Sequence, residues 1–257
     1  MLVVSLLLAP SVMVVASWAE QRRGAAAGGW VAALPISLPI GVLTVAAGSG
    51  TQIADRLAWS AAGHVAAQVL FGAAFASVLR RRSGPRGFAA GLVAYAGASI
   101  VLGGLPIAVA AALAVPALAI GSRRIRPRGT GAAAPPNPWT TTATCLGACL
   151  VVAAMVLGTR AAGPEIGGAL GAFPMLSSLL ALSIVRRSGR AAGADALAGL
   201  IRSLPCYLTF CVCAAVTLPV LGLLAVPLAV VASAATGSVT WRTIGDEFAP
   251  VAQSQRA

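Results

Sequence analysis

The feature that most constrains this chain is an apolar segment of membrane-spanning length that is broken by proline and occurs twice. Residues 28–48 read GGWVAALPISLPIGVLTVAAG, with Pro35 and Pro39 near the middle. Residues 167–187 read GGALGAFPMLSSLLALSIVRR, and at an offset of 139 Pro174 takes the position of Pro35. A unit that recurs at a fixed spacing indicates internal duplication. The chain is therefore predicted to hold two copies of one helical unit.

The match extends beyond the broken segment on both sides. At the same offset of 139, Gly24 meets Gly163 and Ser49-Gly50 meets Ser188-Gly189. After a shift of one residue, the run ADxLA at 54–58 meets the same run at 194–198. The duplication is thus expected to include the next helix as well.

The composition predicts an all-α, polytopic transmembrane helical bundle. Hydrophobic residues make up 58% of the 257 residues and charged residues 9%, against about 45–50% apolar and about 25% charged in soluble domains. About 20 apolar residues span a bilayer as a helix. Nine segments are predicted to span: 2–19, 28–48, 59–79, 88–103, 106–120, 142–159, 167–185, 194–216 and 219–237.

A polar, Pro/Gly-rich stretch at 121–141 predicts the boundary between the halves. We expect a first repeat plus one linking helix at 1–120, a cytoplasmic linker at 121–141, a second repeat at 142–237 and a cytoplasmic tail at 238–257. The first segment could instead be a cleaved signal sequence, but its charges follow the apolar run rather than precede it.

The arginines predict the topology. All 18 basic residues are Arg, and with nine spans 15 of them fall on one face. By the positive-inside rule that face is cytoplasmic, which puts the N-terminus outside and the C-terminus inside. Because the fifth span separates the repeats, each helix runs opposite to its counterpart, so the two four-helix repeats are predicted to be inverted. The 15 are Arg22, Arg23, Arg80, Arg81, Arg82, Arg86, Arg123, Arg124, Arg126, Arg128, Arg186, Arg187, Arg190, Arg242 and Arg256.

The expected partners are the lipid bilayer and an unidentified small solute. The net charge of +12 could suggest nucleic acid, but the arginines lie in short clusters between apolar segments, so nucleic-acid binding is not expected. A homo-oligomer is left open by the small-residue spacing of Gly163, Gly167 and Gly171. The five cysteines lie in apolar segments without metal spacing and are interpreted as small buried residues.

The broken segments are the candidate substrate site. Proline within a helix removes a backbone donor, and the freed carbonyls are tolerated at membrane depth only inside protein or beside a water-filled cavity. In transporters with inverted repeats, paired interrupted helices mark the substrate site. The alternative is a plain proline kink packed by small residues. The candidate residues at the breaks are Pro35, Ser37, Pro39, Pro174, Ser177 and Ser178.

Three more polar residues lie within predicted spans: His64, Gln68 and Arg202. Polar groups inside a membrane are costly and usually face the interior of the bundle, so these residues join the candidate site. His64 and Arg202 could also lie near the membrane surfaces. Asp55 and Asp195 are expected to complement the N-termini of the helices that they begin.

Signatures of enzymes are absent from the sequence. The chain has one His and no Lys, and it contains no HExxH, GxSxG or Walker motif. We therefore expect no catalytic residue, no metal and no cofactor.

The pattern GG-x-x-x-x-[LF]-P followed by A-D-x-L-A resembles the unit of the small GlpM-type bacterial membrane proteins, whose second helix carries Phe-Pro. Phe173-Pro174 fits this motif, whereas Leu34-Pro35 departs from it. The resemblance covers residues 142–237 best and implies a fused pair of such four-helix units in the bacterial plasma (inner) membrane, without an established substrate. Three hypotheses follow: a small-solute or lipid-related secondary transporter, a non-transporting membrane scaffold or regulatory protein, and an intramembrane enzyme.

Overall fold

The structure is a computed structural model, which describes residues 15–16, 18–35, 37–128 and 138–245. Every regular element in these ranges is helical, as the composition predicts. Residues 18–23 belong to helix α1, and most of the first predicted span, part of the linker and the last twelve residues lie outside the described ranges. The further helices are α2 (Ala25–Ala32), α3 (Ser37–Ser49), α4 (Thr51–Gly63), α5 (Val65–Leu79), α6 (Gly84–Gly103), α7 (Ile107–Arg124), α8 (Pro138–Ala162), α9 (Pro164–Ala172), α10 (Met175–Leu221) and α11 (Ala225–Gly245).

Four helical stretches in the described ranges are long and apolar enough to cross a bilayer: Thr51–Leu79, Gly84–Gly103, Ile107–Arg124 and Pro164–Arg242. The last has 79 residues and would measure about 120 Å as one straight helix, so it has to turn to stay within a bilayer. Large apolar side chains on α6 are open at the surface, with Val93 74% and Ile100 78% exposed. These apolar helices are compatible with insertion into a membrane.

Single glycines make the turns that sequence reasoning placed in longer loops. The third span is predicted to begin at Trp59, but α4 begins at Thr51, directly after Gly50. The eighth is predicted to begin at 194, but helix resumes directly after Gly189, which divides α10 into a first arm (175–188) and a second arm (190–221). The turn expected at Leu218-Pro219 is at Gly222 instead, with φ 58°. The predicted turn after Gly103 is confirmed, since α7 begins at Ile107.

Two pairs of glycines share an unusual backbone conformation at the repeat offset. Gly24 has φ 89° and Gly163 φ 93°, and Gly50 has φ 93° and Gly189 φ 87°. Their ψ values lie between 158° and 175°, a region that is essentially restricted to glycine. Each pair is separated by 139 residues, so the same turns flank the broken segment in each half.

The helical hairpin that precedes each break also packs alike in the two halves. In the first half, Gly28 of α2 lies against the Glu20 side chain and the Ala16 carbonyl. In the second half, Gly167 of α9 lies against the Thr159 side chain and the Met155 carbonyl. All three pairs of positions are 139 residues apart. The spacing of Gly163, Gly167 and Gly171 thus serves contacts within the chain, because Gly167 and Gly171 both meet α8.

Each half places its short helix on the long helix of the other half. Gly29 of α2 faces the Ala196 carbonyl in the second arm of α10, and Gly168 of α9 faces the Leu57 carbonyl in α4. These contacts keep the offset of 139, whereas the ADxLA match requires 140. Backbone contact through glycine therefore fixes the packing register, and the ADxLA identities fall one position away from it.

Two more contacts complete this exchange at the same offset. Gly199 of α10 lies against the Ala26 carbonyl of α2. At the matching place the Ser60 hydroxyl of α4 donates a 2.7 Å hydrogen bond to the Glu165 carbonyl of α9. Small residues on α4 and α10 therefore let α9 and α2 approach to backbone contact.

The segment after α7 is held by the second half. The Arg128 amide donates a 2.9 Å hydrogen bond to the Asp195 carboxylate, which is 2% exposed. The expectation that Asp195 complements the N-terminus of its own helix is thus wrong, since the arm begins after Gly189 and the carboxylate turns to a neighbouring segment. In α4, too, the N-terminal position is Gly50, and no side chain caps it.

Candidate functional site

The two proline breaks meet at one cavity of about 40 Å³. In the first half the helix stops at Ala32 and resumes at Ser37, and in the second it stops at Ala172 and resumes at Met175. Residues from both breaks contribute to the walls. The lining residues are Ala32, Ala33, Leu34, Gln68, Gly171, Phe173, Pro174, Met175, Leu176, Ser177 and Leu200.

Protein groups satisfy the carbonyls that the second break sets free. The Tyr95 hydroxyl of α6 donates a 2.6 Å hydrogen bond to the Ala169 carbonyl. The Tyr207 hydroxyl of α10 donates a longer bond, 3.2 Å, to the Gly171 carbonyl. The Phe173 amide bonds the Leu170 carbonyl at 3.2 Å. Three orphaned acceptors at the end of α9 are therefore satisfied without water or a ligand.

The first break is closed differently. The amides of Ala33 and Leu34 bond back to the carbonyls of Trp30 and Val31 at 3.3 and 3.2 Å. At the offset of 139, Ala32 and Gln68 stand where Gly171 and Tyr207 stand in the second half. Both residues of the first-half pair line the cavity.

Gln68 is the unsatisfied polar side chain of this cavity. It lies on α5 and is 2% exposed, yet its Nε2 has no hydrogen-bond partner among the described residues. A buried donor without a partner costs about 1–3 kcal/mol. Such a group in the wall of a cavity is expected to meet a water molecule or a ligand.

The amino end of α10 forms the opposite wall. Pro174 has no amide hydrogen, the Met175 amide bonds the Phe173 carbonyl at 2.8 Å, and the Ser178 hydroxyl bonds the Pro174 carbonyl at 2.6 Å. The first amides of a helix have no acceptor within that helix, and the helix dipole makes this end positive. Ser177, 4% exposed, adds a hydroxyl to the same wall.

An aromatic cluster supports the second break from behind. Phe173 packs edge to face on Phe71 and Tyr95, with ring centroids 5.7 and 5.2 Å apart. Phe71 also contacts Phe75 and Phe88. These rings fix the residue that precedes Pro174, so the break is anchored on α5 and α6.

The structure brings together some of the predicted site residues. Pro174, Ser177 and Gln68 line the cavity, and Ser178 is fully buried one position further along α10. The other candidates are not among the lining residues. Pro35 lies in the first break and Pro39 in α3, Ser37 begins α3 with a side chain outside the described part, and Arg202 is half-buried on α10.

His64 has a local structural contact. Its Nδ1 lies 2.7 Å from the Ser60 carbonyl at the junction of α4 and α5, and the side chain is 7% exposed. A ring nitrogen at that distance from a carbonyl donates its proton to it. The imidazole thereby satisfies a carbonyl where the two helices join.

Sequence reasoning missed a second buried polar group, the ion pair of Glu20 and Arg187. Their side chains approach to 3.3 Å, and Glu20 is 1% exposed. The Arg187 guanidinium also donates a 3.1 Å bond to the Ser183 hydroxyl. Burial raises the pKa of the Glu20 carboxyl, and Arg187 acts in the opposite direction. The pair joins α1 to the first arm of α10, and the missed signal was that Glu20 directly follows an apolar segment.

Metal-binding side chains do not gather in the described ranges, where no three His, Cys, Asp or Glu residues form a cluster. Cys206 and Cys211 are buried, as predicted, and Cys213 is half-buried. The chain matches no protein-family model, no curated protein and no solved structure. The chemistry of the cavity therefore rests on its own side chains and helix ends.

Proposed function

We propose that the chain is a polytopic membrane protein of two inverted repeats that carries a small solute through the cavity between its two broken segments. The observation that carries this proposal is that residues of both breaks line one cavity. In secondary transporters with inverted repeats, solutes bind where discontinuous helices meet near the midplane of the bilayer.

Helix bounds support nine spans. Joined across the breaks and across His64, the helices of the described ranges form stretches at 18–23, 25–49, 51–79, 84–103, 107–124, 138–162, 164–188, 190–221 and 225–245. The four stretches of the first repeat and the four of the second are then separated by the single helix α7. An odd number of spans between counterparts reverses their direction.

Matching contacts support the duplication. The paired turns at Gly24 and Gly163 and at Gly50 and Gly189 occur at the repeat offset, as does the exchange of α2 and α9 between the halves. We further propose a bacterial plasma membrane location with the N-terminus outside, from the distribution of arginines. The kinship with a fused pair of GlpM-type units is proposed from the residues at 142–237 alone.

A non-transporting scaffold is the second candidate, and one observation favours it. Tyr95 and Tyr207 satisfy the freed carbonyls of the second break within the protein, as a structural kink requires. The two candidates differ in whether water reaches the cavity wall.

Accessibility of Ser177 separates the two functions. We would replace the five native cysteines, introduce Ser177→Cys, and add a membrane-impermeant thiol reagent from each side of oriented vesicles. We expect labelling from at least one side, because Ser177 lines the cavity and an alternating transporter opens it to water.

The matched control is Ser203→Cys on the same helix. Ser203 is 0% exposed, lies outside the cavity wall and bonds the Leu200 carbonyl, so its thiol should stay unlabelled. If Ser177→Cys is as unreactive as this control from both sides, water does not reach the cavity. The transporter proposal would then be wrong and the scaffold preferred.

A further inference from the structure

The cavity wall presents hydrogen-bond donors and, among its lining residues, no carboxylate. Gln68 contributes an unpartnered Nε2 at 2% exposure. The first arm of α10 contributes its amino end, where the amides of Leu176 and Ser177 precede the first intrahelical acceptor. Donors and a positive helix end are the features that bind anions.

Several carbonyl oxygens at the breaks, in contrast, are already engaged. Gly171 accepts from Tyr207, Phe173 from the Met175 amide, and Pro174 from Ser178. In the first break the carbonyls of Trp30 and Val31 accept from Ala33 and Leu34. A cation needs several free oxygen ligands, so the surplus of donors favours the opposite charge.

The size of the cavity restricts the ligand further. It measures about 40 Å³, whereas a water molecule takes about 30 Å³ in the liquid and pockets for drug-sized ligands have about 300–1,000 Å³. The space fits one or two water-sized groups. The net charge of +12 also favours the approach of an anion over that of a cation.

We propose that this cavity is a binding site for a small inorganic anion of about the size of chloride. The Gln68 amide donates to the anion from α5, and the amino end of α10 with Ser177 faces it from the other side. The second half contains no equivalent donor, because Tyr207, which takes the position of Gln68, already donates to Gly171. The duplicated scaffold thus supplies one anion site rather than two. This assignment rests on the proposed function, since it names the class of solute carried.

Anion binding is tested on the purified full-length protein in detergent by its thermal unfolding midpoint. Sodium chloride and sodium bromide are compared with sodium gluconate at equal concentration, and choline chloride replaces sodium chloride in a further sample. A ligand that binds only the folded state raises the midpoint. We expect the halides to raise it relative to gluconate, and choline chloride to act as sodium chloride does.

The variant Gln68→Met removes the donor and keeps the length of the side chain, so it should abolish the halide-dependent rise. Gln52→Met is the matched control, because Gln52 is exposed on α4, and it should keep the rise. Bulk effects of salt act on both variants alike. If Gln68→Met does not fold, Ser177→Ala should lessen the rise for the same reason.

Three results would overturn the assignment: no halide effect in the native protein, an equal effect in Gln68→Met, or a dependence on sodium instead of chloride. Labelling of Ser177→Cys separates the assignment from the proposed function. A labelled thiol without a halide effect leaves a transporter of another solute. An unlabelled thiol removes the transporter itself.

Discussion

Glu20 joins a carboxylate to an apolar environment, and this makes its protonation a measure of folding. Its folded pKa is raised above the ordinary 4.5 by burial. A raised pKa means that the folded state binds the proton more tightly than the unfolded state does. The resulting stabilisation is fully present below pH 4.5 and is lost as the pH rises through the folded pKa of Glu20.

The thermal unfolding midpoint should therefore contain a component that increases as the pH falls from 7 toward 4.5. The variant Glu20→Gln lacks the titrating group and should flatten this part of the profile. Glu165→Gln is the control, because Glu165 is an exposed carboxylate, and it should leave the slope in place. A slope that persists in full in Glu20→Gln would show that another group titrates on folding.

Single residues differ in how well their roles could be foreseen. Gln68 and Ser177 follow from one rule, that polar groups in apolar helices face the interior of a bundle. Tyr95 and Tyr207 escaped it because tyrosine is itself largely apolar, and its hydroxyl needs a partner only where the ring is buried. That burial, and the carbonyls of α9 that the hydroxyls meet, depend on tertiary packing.

Helix ends were foreseen where proline marks them and missed where one glycine suffices. Pro35 and Pro174 announce the two breaks. Gly50 and Gly189 turn the chain without any polar loop, because φ near 90° reverses direction within one residue. A lone glycine in an apolar context carries no mark of that conformation, so the starts of the following helices were predicted several residues late.

The approach of α2 to α10 depends on a small residue on each helix. A methyl group on Gly29 would fall on the Ala196 carbonyl, and one on Gly199 on the Ala26 carbonyl. Backbone atoms cannot move aside as a flexible side chain does. Gly29→Ala should therefore lower the unfolding free energy by about 1–3 kcal/mol, the usual cost of overpacking.

Gly97→Ala is the matched control for this measurement. Gly97 lies in α6, and an added methyl group there would have no neighbour within 4 Å. Alanine is favoured over glycine in a helix by up to about 1 kcal/mol, so this variant should be neutral or more stable. Similar midpoints for the two variants, measured by thermal unfolding, would mean that α2 does not pack on α10 through Gly29.

The whole molecule was partly foreseen, since the duplication is visible in the chain. The exchange of short helices between the halves was not, because identical residues do not say which surfaces they face. Gly29 and Gly168 are matched in sequence, but only their contacts with Ala196 and Leu57 show that each unit completes the other. Such an exchange predicts that neither half is stable alone.

The topology of the complete chain can be tested with two exposed residues that flank one span. Gln52 precedes and Arg81 follows the stretch Thr51–Leu79, which has 29 residues and is 72% buried in its most apolar window. Because 15 of the 18 arginines fall on the face of Arg81, that face should be cytoplasmic. In a background without native cysteines, an impermeant thiol reagent applied to whole cells should label Gln52→Cys and leave Arg81→Cys unlabelled.

Permeabilised cells provide the control, since both thiols should then react. A reporter fused after Ala257 should also be cytoplasmic, because an even number of spans separates Arg81 from the C-terminus in the nine-span arrangement. If Gln52→Cys and Arg81→Cys react from the same side, α4 and α5 do not cross together. The inversion of the repeats would then be lost, because it requires that each helix of the first half run opposite to its counterpart in the second.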